Sequence, residues 1–326
     1  MRILVTGSAG HLGEALMRTL RVSTDPPVGI DIKASPFTDH VGSVIDRAFV
    51  RECLRGVDAI VHAATLHKPH IATHSRQDFI DTNITGTLNL LEEALAAHVR
   101  CFIYTSTTSV FGRALVPPPG APAAWITEEV TPIPKNIYGV TKYAAENLCE
   151  LFHRSCGLPC VILRTSRFFP EDDDEHAARR RFDSDNLKVN ELLYRRADLE
   201  DIVSAHLLAI GQAPALGFER FIISATTPFT QEELPTLRAD AASVVRRHFP
   251  HFESEYARRG WSMMAGIDRV YVNDHARARL GWAPRYDFRA ILRLLADGQD
   301  YRSPLAREVG AKGYHAQTFA EGPYPV

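Results

Sequence analysis

The chain has 326 residues, a formal net charge of −2, 45% hydrophobic and 23% charged residues, and five cysteines. That length allows a large core with room for a second lobe, and the near-neutral balance gives no pull toward nucleic acid or an anionic membrane. No run approaches the roughly 20 apolar residues that span a bilayer, Met1 to Gly7 enters a structured motif rather than a leader, and the odd cysteine count, without paired spacing, fits reduced thiols in a cytoplasmic protein.

In chain order, residues 2–5 read as a buried strand, 14–22 as a helix, 28–32 as a second strand, 47–54 as a helix and 59–63 as a third strand. Residues 85–97 carry Leu88, Leu91 and Leu95 at helical spacing, 101–105 form another strand, 136–156 contain a long helix, and 160–164 form one more strand. Strict alternation of this kind implies parallel strands with crossover helices, hence an α/β doubly wound parallel sheet. Residues 115–134, rich in Pro, Gly and Ala, are expected to hold no regular element and to border the site as a loop. Residues 170–190 carry Glu171, Asp172, Asp173, Asp174 and Glu175, then Arg179 to Arg181, and are expected to be a mobile, solvated lid. The expected division is a dinucleotide-binding domain at 1–165, with 198–227 returning to it. A smaller C-terminal substrate-binding lobe and lid would comprise 166–197 and 228–326.

The turn Gly7-Ser8-Ala9-Gly10-His11-Leu12-Gly13 lies between the first strand and the first helix. Glycines at this spacing permit a tight turn, close approach of a pyrophosphate and close helix–strand packing, while the helix N-terminus offers free N–H groups to phosphate. Asp31 ends the second strand, about 20 residues on, where a carboxylate can bond the adenosine ribose hydroxyls and repel a 2′-phosphate. The fold expected is therefore Rossmann-type, with NAD favoured over NADP, although Lys33 nearby weakens the discrimination.

Tyr138 and Lys142 stand four apart in the long helix and so share a face. An ammonium beside a phenol lowers the phenol's pKa, which suits proton exchange with an alcohol or carbonyl. Upstream, Ser106, Thr107, Thr108 and Ser109 lie at the C-terminal end of a strand, the edge at which open α/β sheets bind ligands. Asn83 lies near the start of a helix, as a cap or as the holder of a proton-relaying water.

In this set of motifs the chain resembles the extended short-chain dehydrogenase/reductase family, in its NAD-dependent epimerase/dehydratase branch. The matching features are the turn from Thr6 to Gly13, Asp31, His62-Ala63-Ala64, Asn83, the hydroxyl run ending in Val110-Phe111-Gly112, Tyr138/Lys142, Leu163-Arg164, the stretch Asp198 to Val203, and Leu280 to Pro284. The resemblance implies an enzyme with Tyr138 as acid/base, Lys142 as its tuner and ribose contact, Thr107 in the serine position with Ser106 as fallback, and Asn83 in the proton relay. It also implies that Gly7, Gly10, His11, Leu12, Gly13, Asp31, Ala63 and Ala64 bind cofactor, and that the protein is a homodimer formed through the helices near Leu88 and Tyr143.

Dehydratases of that branch carry an Asp-Glu pair directly after the catalytic hydroxyl, where this chain has Thr108 and Ser109, so β-elimination is disfavoured. Nucleotide-sugar members carry a long, glycine-containing segment after the Arg164-type strand to grip the diphosphate. Here Phe168-Phe169-Pro170 and the charged run replace it, similar to small-substrate members such as uronate dehydrogenases. The expected activity is hydride transfer between NAD and a secondary alcohol or hemiacetal of a small sugar-like or hydroxy-acid substrate. Ser106, Thr108, Arg164, Arg167 and His67 are the candidate substrate contacts. A nucleotide-sugar 4-epimerase with tightly held NAD is the alternative, and a non-catalytic dinucleotide sensor is a further one. No metal site is expected: His67, His70 and His74 lack an acidic partner fixed by spacing, and Cys156 and Cys160 lack further ligands.

Overall fold

The computed structural model describes residues 1–22, 25–173, 175–313 and 315. Among the described residues nine strands form: β1 (Ile3–Thr6), β2 (Val28–Asp31), β3 (His40–Val41), β4 (Ala59–His62), β5 (Cys101–Thr107), β6 (Ala124–Ile126), β7 (Cys160–Thr165), β8 (Phe218–Ile223) and β9 (Arg269–Tyr271). Seven of them make one sheet in the order β3-β2-β1-β4-β5-β7-β8, with every pairing parallel. The order reverses between β1 and β4, and a crevice opens at such a point beyond the carboxyl ends of the strands.

Side chains alternate across the sheet, as a period of two demands. Val5, Val61, Ile103 and Val161 face one core with α1 (His11–Leu20) and α8 (Leu199–Leu216). Leu4, Ile60, Phe102 and Ile162 face the other, with α2 (Arg47–Cys53), α4 (Gly86–Ala96) and α5 (Ile137–Cys156). Both faces are covered, so the strands read as unbroken apolar runs. A further core gathers Val189, Leu193, Phe229, Leu237, Phe249 and Phe288.

The structure departs from the sequence reading in three segments. Residues 115–134 do contain a regular element: β6 pairs in parallel with β9, Ala124 opposite Arg269 and Ile126 opposite Tyr271. The partner lies far along the chain, so no local pattern announces it. The charged stretch at 170–190 holds α6 (His176–Arg181) and α7 (Ser184–Glu191), the second capped by Asp183, whose carboxylate accepts from Asp185 N at 2.9 Å. Glu171 and Asp173 are buried rather than solvated, and Asp174 lies outside the described residues. Finally, the helix expected to begin at 85 begins at α3 (Arg76–Ile80) and runs through a π-helical turn, Asp81–Thr85, into α4. Asn83 sits inside that turn and is therefore not a cap.

Glu146 fixes α5 against the sheet. Its Oε1 accepts from Ser106 Oγ at 2.6 Å, and its Oε2 accepts from Arg164 Nη2 at 2.7 Å. The Glu146 and Arg164 side chains are only 0% and 3% exposed, so neither charge has solvent to fall back on. Replacing Glu146 by Ala strands the guanidinium in the interior, and urea unfolding should register a loss of about 3–5 kcal/mol.

Candidate active site

A cleft of about 1130 Å³ runs along the C-terminal edge of the sheet, lined by the glycine turn and Asp31 and by Tyr138, Arg167 and Arg269. At the glycine turn Gly7 has φ +74°, and a Cβ there would meet Ala64 N at 2.8 Å. A Cβ on Gly13 would sit 1.9 Å from the carbonyl oxygen of Gly7. Only bare backbone permits this crossing of β1 and α1, and it leaves the start of α1 open to an anion. Asp31 accepts from Ala9 N at 3.0 Å through Oδ2 and from Lys33 N at 2.9 Å through Oδ1. Its carboxylate is thereby held facing the cleft, with lone pairs left for a ribose diol. Gly10, His11, Leu12, Ala63 and Ala64 line the same wall. A dinucleotide fits this cradle.

A polar network behind that wall was not foreseen. Thr6 Oγ1 lies 2.8 Å from His62 Nδ1 and accepts from Ala63 N and Ala64 N at 3.1 and 3.0 Å. His62 Nε2 lies 3.0 Å from Thr87 Oγ1, whose proton goes to Asn83 O at 2.7 Å. The bonding is satisfied in one way: Thr6 donates to Nδ1, and Nε2–H donates to Thr87. Burial and the positive charge of Lys142 hold the imidazole pKa well below its ordinary value, so the ring is neutral. His62 belongs to a recognisable motif, but its three partners are far apart in sequence.

α5 starts from Asn136, whose Oδ1 accepts from Gly139 N at 3.0 Å. Its first turns bring Tyr138 and Lys142 to the cleft beside Thr107 and Thr108 of the β5 end. Burial raises the Tyr138 pKa to about 12, against the opposing effect of a hydrogen bond with Thr107. Burial likewise lowers Lys142 to about 7, with Glu146 pulling the other way. The expected lowering of the phenol by the ammonium is not found. Lys142 Nζ instead donates to Thr105 O at 2.7 Å and stands 4.1 Å above the Tyr104 ring, so its charge is spent on the strand.

The other candidates divide. Asn83 accepts from Thr65 Oγ1 at 2.8 Å and Leu66 N at 2.9 Å and donates to Thr141 Oγ1 at 3.0 Å. It ties the loop after β4 to α5 and is not among the residues lining the cleft. Arg164 also lies off the cleft, paired with Glu146, and the Ser106 hydroxyl is turned to that same carboxylate. His67 does line the cleft, its ring centroid 6.0 Å from that of Tyr138, and burial holds its pKa well below the ordinary value. Arg167 lines it too, donating to Asp173 Oδ2 at 2.7 Å. Sequence reading missed Arg195 and Arg269, which stand on the same wall; tertiary pairing through β9 and residues 195–197 brings them there.

A parallel doubly wound sheet, a glycine cradle with an acidic strand end, and a tyrosine–lysine pair on one cleft define a dinucleotide-dependent enzyme of Rossmann type. The chain belongs to the NAD dependent epimerase/dehydratase family, whose pattern matches residues 3–215, and NAD is its cofactor. It is 32% identical to an uncharacterized protein, y4nG, of Sinorhizobium fredii over 49% of its own length, and it spans only 39% of that relative. It is 28% identical to the UDP-glucose 4-epimerase of Rhizobium meliloti over 89% of this chain and 94% of that one. Among solved structures, a short-chain dehydrogenase/reductase superfamily protein of Agrobacterium tumefaciens with bound NAD superposes with a TM-score of 0.66 and 24% identity, covering 91% of this chain and 96% of that chain. No described helix is long and apolar enough to cross a membrane.

Two outcomes follow from the cradle. Gly13→Ala should abolish NAD binding in calorimetric titration and destabilise the fold by about 1–3 kcal/mol or more, the range for overpacking. Asp31→Ser should move the ratio of NADP to NAD dissociation constants toward NADP by about tenfold, the equivalent of roughly 1.4 kcal/mol of relieved repulsion.

Proposed function

We propose that the protein transfers a hydride between NAD and a secondary alcohol or hemiacetal of a small polar substrate, sugar-like or a hydroxy acid. The observation that carries this reading is the placement of the Tyr138 phenol with Thr107 and Lys142 in the same cleft as the glycine cradle. Bound NAD supplies the hydride acceptor. In oxidation the substrate hydroxyl gives its proton to the Tyr138 oxygen, and Thr107 orients that hydroxyl. Lys142 and Asn83 act behind them, on the strand and the loop after β4.

The far wall supports a substrate with an acidic group. Arg167 and Arg195 face the cleft, while the carboxylates that hold them, Asp173 and Glu191, are 1% exposed and lie behind. A ligand therefore meets the guanidinium side of these pairs, with Arg269, paired to the cleft-lining Asp268, beside them. Thr107 and Thr165 are in register across β5 and β7, and Arg167 is two residues beyond, roughly 7 Å of chain, which suits a compact molecule.

The competing reading is a nucleotide-sugar 4-epimerase, which the UDP-glucose 4-epimerase relative supports. The two differ in net chemistry: a dehydrogenase accumulates NADH with free acids or sugars, whereas an epimerase converts a nucleotide sugar without net NADH. A cytoplasmic homodimer completes the proposal, with α5 presenting exposed Val140 and Leu151 beside α4. Sedimentation would test the dimer.

A screen of small hydroxy acids and sugars with NAD, read at the nicotinamide absorbance, tests the activity; absence of NADH formation with every compound overturns it. Tyr138→Phe should lower the turnover number by about a hundredfold to ten-thousandfold, with the NAD dissociation constant unchanged. Because burial keeps the phenol protonated up to about 12, its basic form grows steadily with pH below that value. Alcohol oxidation should then climb by up to about tenfold per pH unit from 7 to 10, while carbonyl reduction, which needs the acidic form, stays flat over the same range.

A further inference from the structure

Beyond α8 the chain returns to the cofactor end of the cleft. The helix Pro304–Val309 is rooted in the core through Leu305, Ala306 and Val309, and Arg18 of α1 donates to its Glu308. The residues that follow leave the core. Lys312 N and Gly313 N both donate to Glu171 Oε1, each at 3.0 Å, and the same oxygen lies 2.7 Å from His11 Nε2. Lys312 Nζ donates to Glu14 of α1. Three residues on, His315 Nε2 is 3.1 Å from Pro69 O, and its ring packs 5.6 Å from that of His70.

These contacts reach two separate segments of the cleft lining. Gly10, His11 and Leu12, then Lys68, Pro69 and His70, and also Lys312 and Gly313 all line the cleft. Lys312, Gly313 and His315 therefore tie the start of α1 and Glu171 to the loop after β4 beside the glycine turn, where the dinucleotide fits. The connection is held by hydrogen bonds and ion pairs rather than by apolar burial, the condition for a segment that opens locally without global unfolding. Gly310 and Gly313, at φ +62° and +68°, bracket Lys312 in backbone states other residues rarely adopt.

Glu171 is the centre of this arrangement. A buried carboxylate beside a phosphate cradle is electrostatically unfavourable for an anionic cofactor unless its charge is otherwise engaged. Here His11 and the two strap N–H groups hold it ionised, with a pKa pulled down to about 2 against burial.

We infer that Lys312, Gly313 and His315 form a strap that closes over bound NAD, with Glu171 as the positioning residue that latches it to His11. The latch must release for the dinucleotide to leave, so cofactor exchange is gated by the strap. This rests on the NAD-binding cradle, not on the substrate reading, and applies equally to a dehydrogenase and an epimerase.

The test is NADH release by stopped flow: the full chain is loaded with NADH, chased with excess NAD, and followed by nicotinamide fluorescence. Glu171→Gln removes the charge that draws the three donors together. Gly313→Pro removes one N–H and forbids the positive φ, at an exposed position away from the cores. His315→Ala releases the far end. All three should speed NADH dissociation, Glu171→Gln and Gly313→Pro by tenfold or more, without requiring any substrate. Rates within twofold of the parent for all three overturn the strap. Acceleration in Glu171→Gln alone overturns it as well, because Glu171 would then act only through His11. Failure of the substrate screen with accelerated release would sink the dehydrogenase reading and leave the strap standing.

Discussion

The active face of this protein depends on where α5 is clamped. Tyr138 and Lys142 reach the end of β5 because Glu146, one turn further along the same helix, is buried between Ser106 of β5 and Arg164 of β7. A carboxylate with no solvent to relax into has one good position, and the helix inherits it. Asn83 acts similarly from the other side, joining the loop after β4 to Thr141 of α5. The helix that carries Tyr138 and Lys142 is thus referenced to three neighbouring strands.

Burial, more than charge proximity, sets the protonation states. Tyr138 is held protonated, Lys142 is pulled down toward neutrality, and His62 and His67 are held neutral, each with desolvation as the largest influence. The tyrosine–lysine spacing suggests a direct electrostatic pair, but Lys142 is turned onto Thr105 O and the Tyr104 ring instead. Its influence on the phenol is therefore indirect.

Much of the architecture was legible in the sequence. Helix and strand periodicities are local, so β1, β2, β4, β5 and β7 and their crossover helices announce themselves, and the glycine turn with Asp31 marks the cofactor end of the sheet. The lobe was less legible. β6 and β9 pair across a long stretch of chain, and the acidic run that looks like a solvated loop is drawn inward by Arg167 just before it and by Arg195 and His11, which are distant in sequence.

The sequence by itself determined the parallel α/β sheet, the glycine turn with Asp31 and the family, because these rest on backbone conformations and periodicities that short segments encode. Tertiary structure decided which polar residues face the cleft. Arg164 and Ser106 are consumed by Glu146, whereas Arg195 and Arg269 are delivered to the wall by pairings between distant segments. The physical reason is that a buried charge takes whichever partner the packed fold brings within reach, and that partner is chosen by the whole chain rather than by spacing along it.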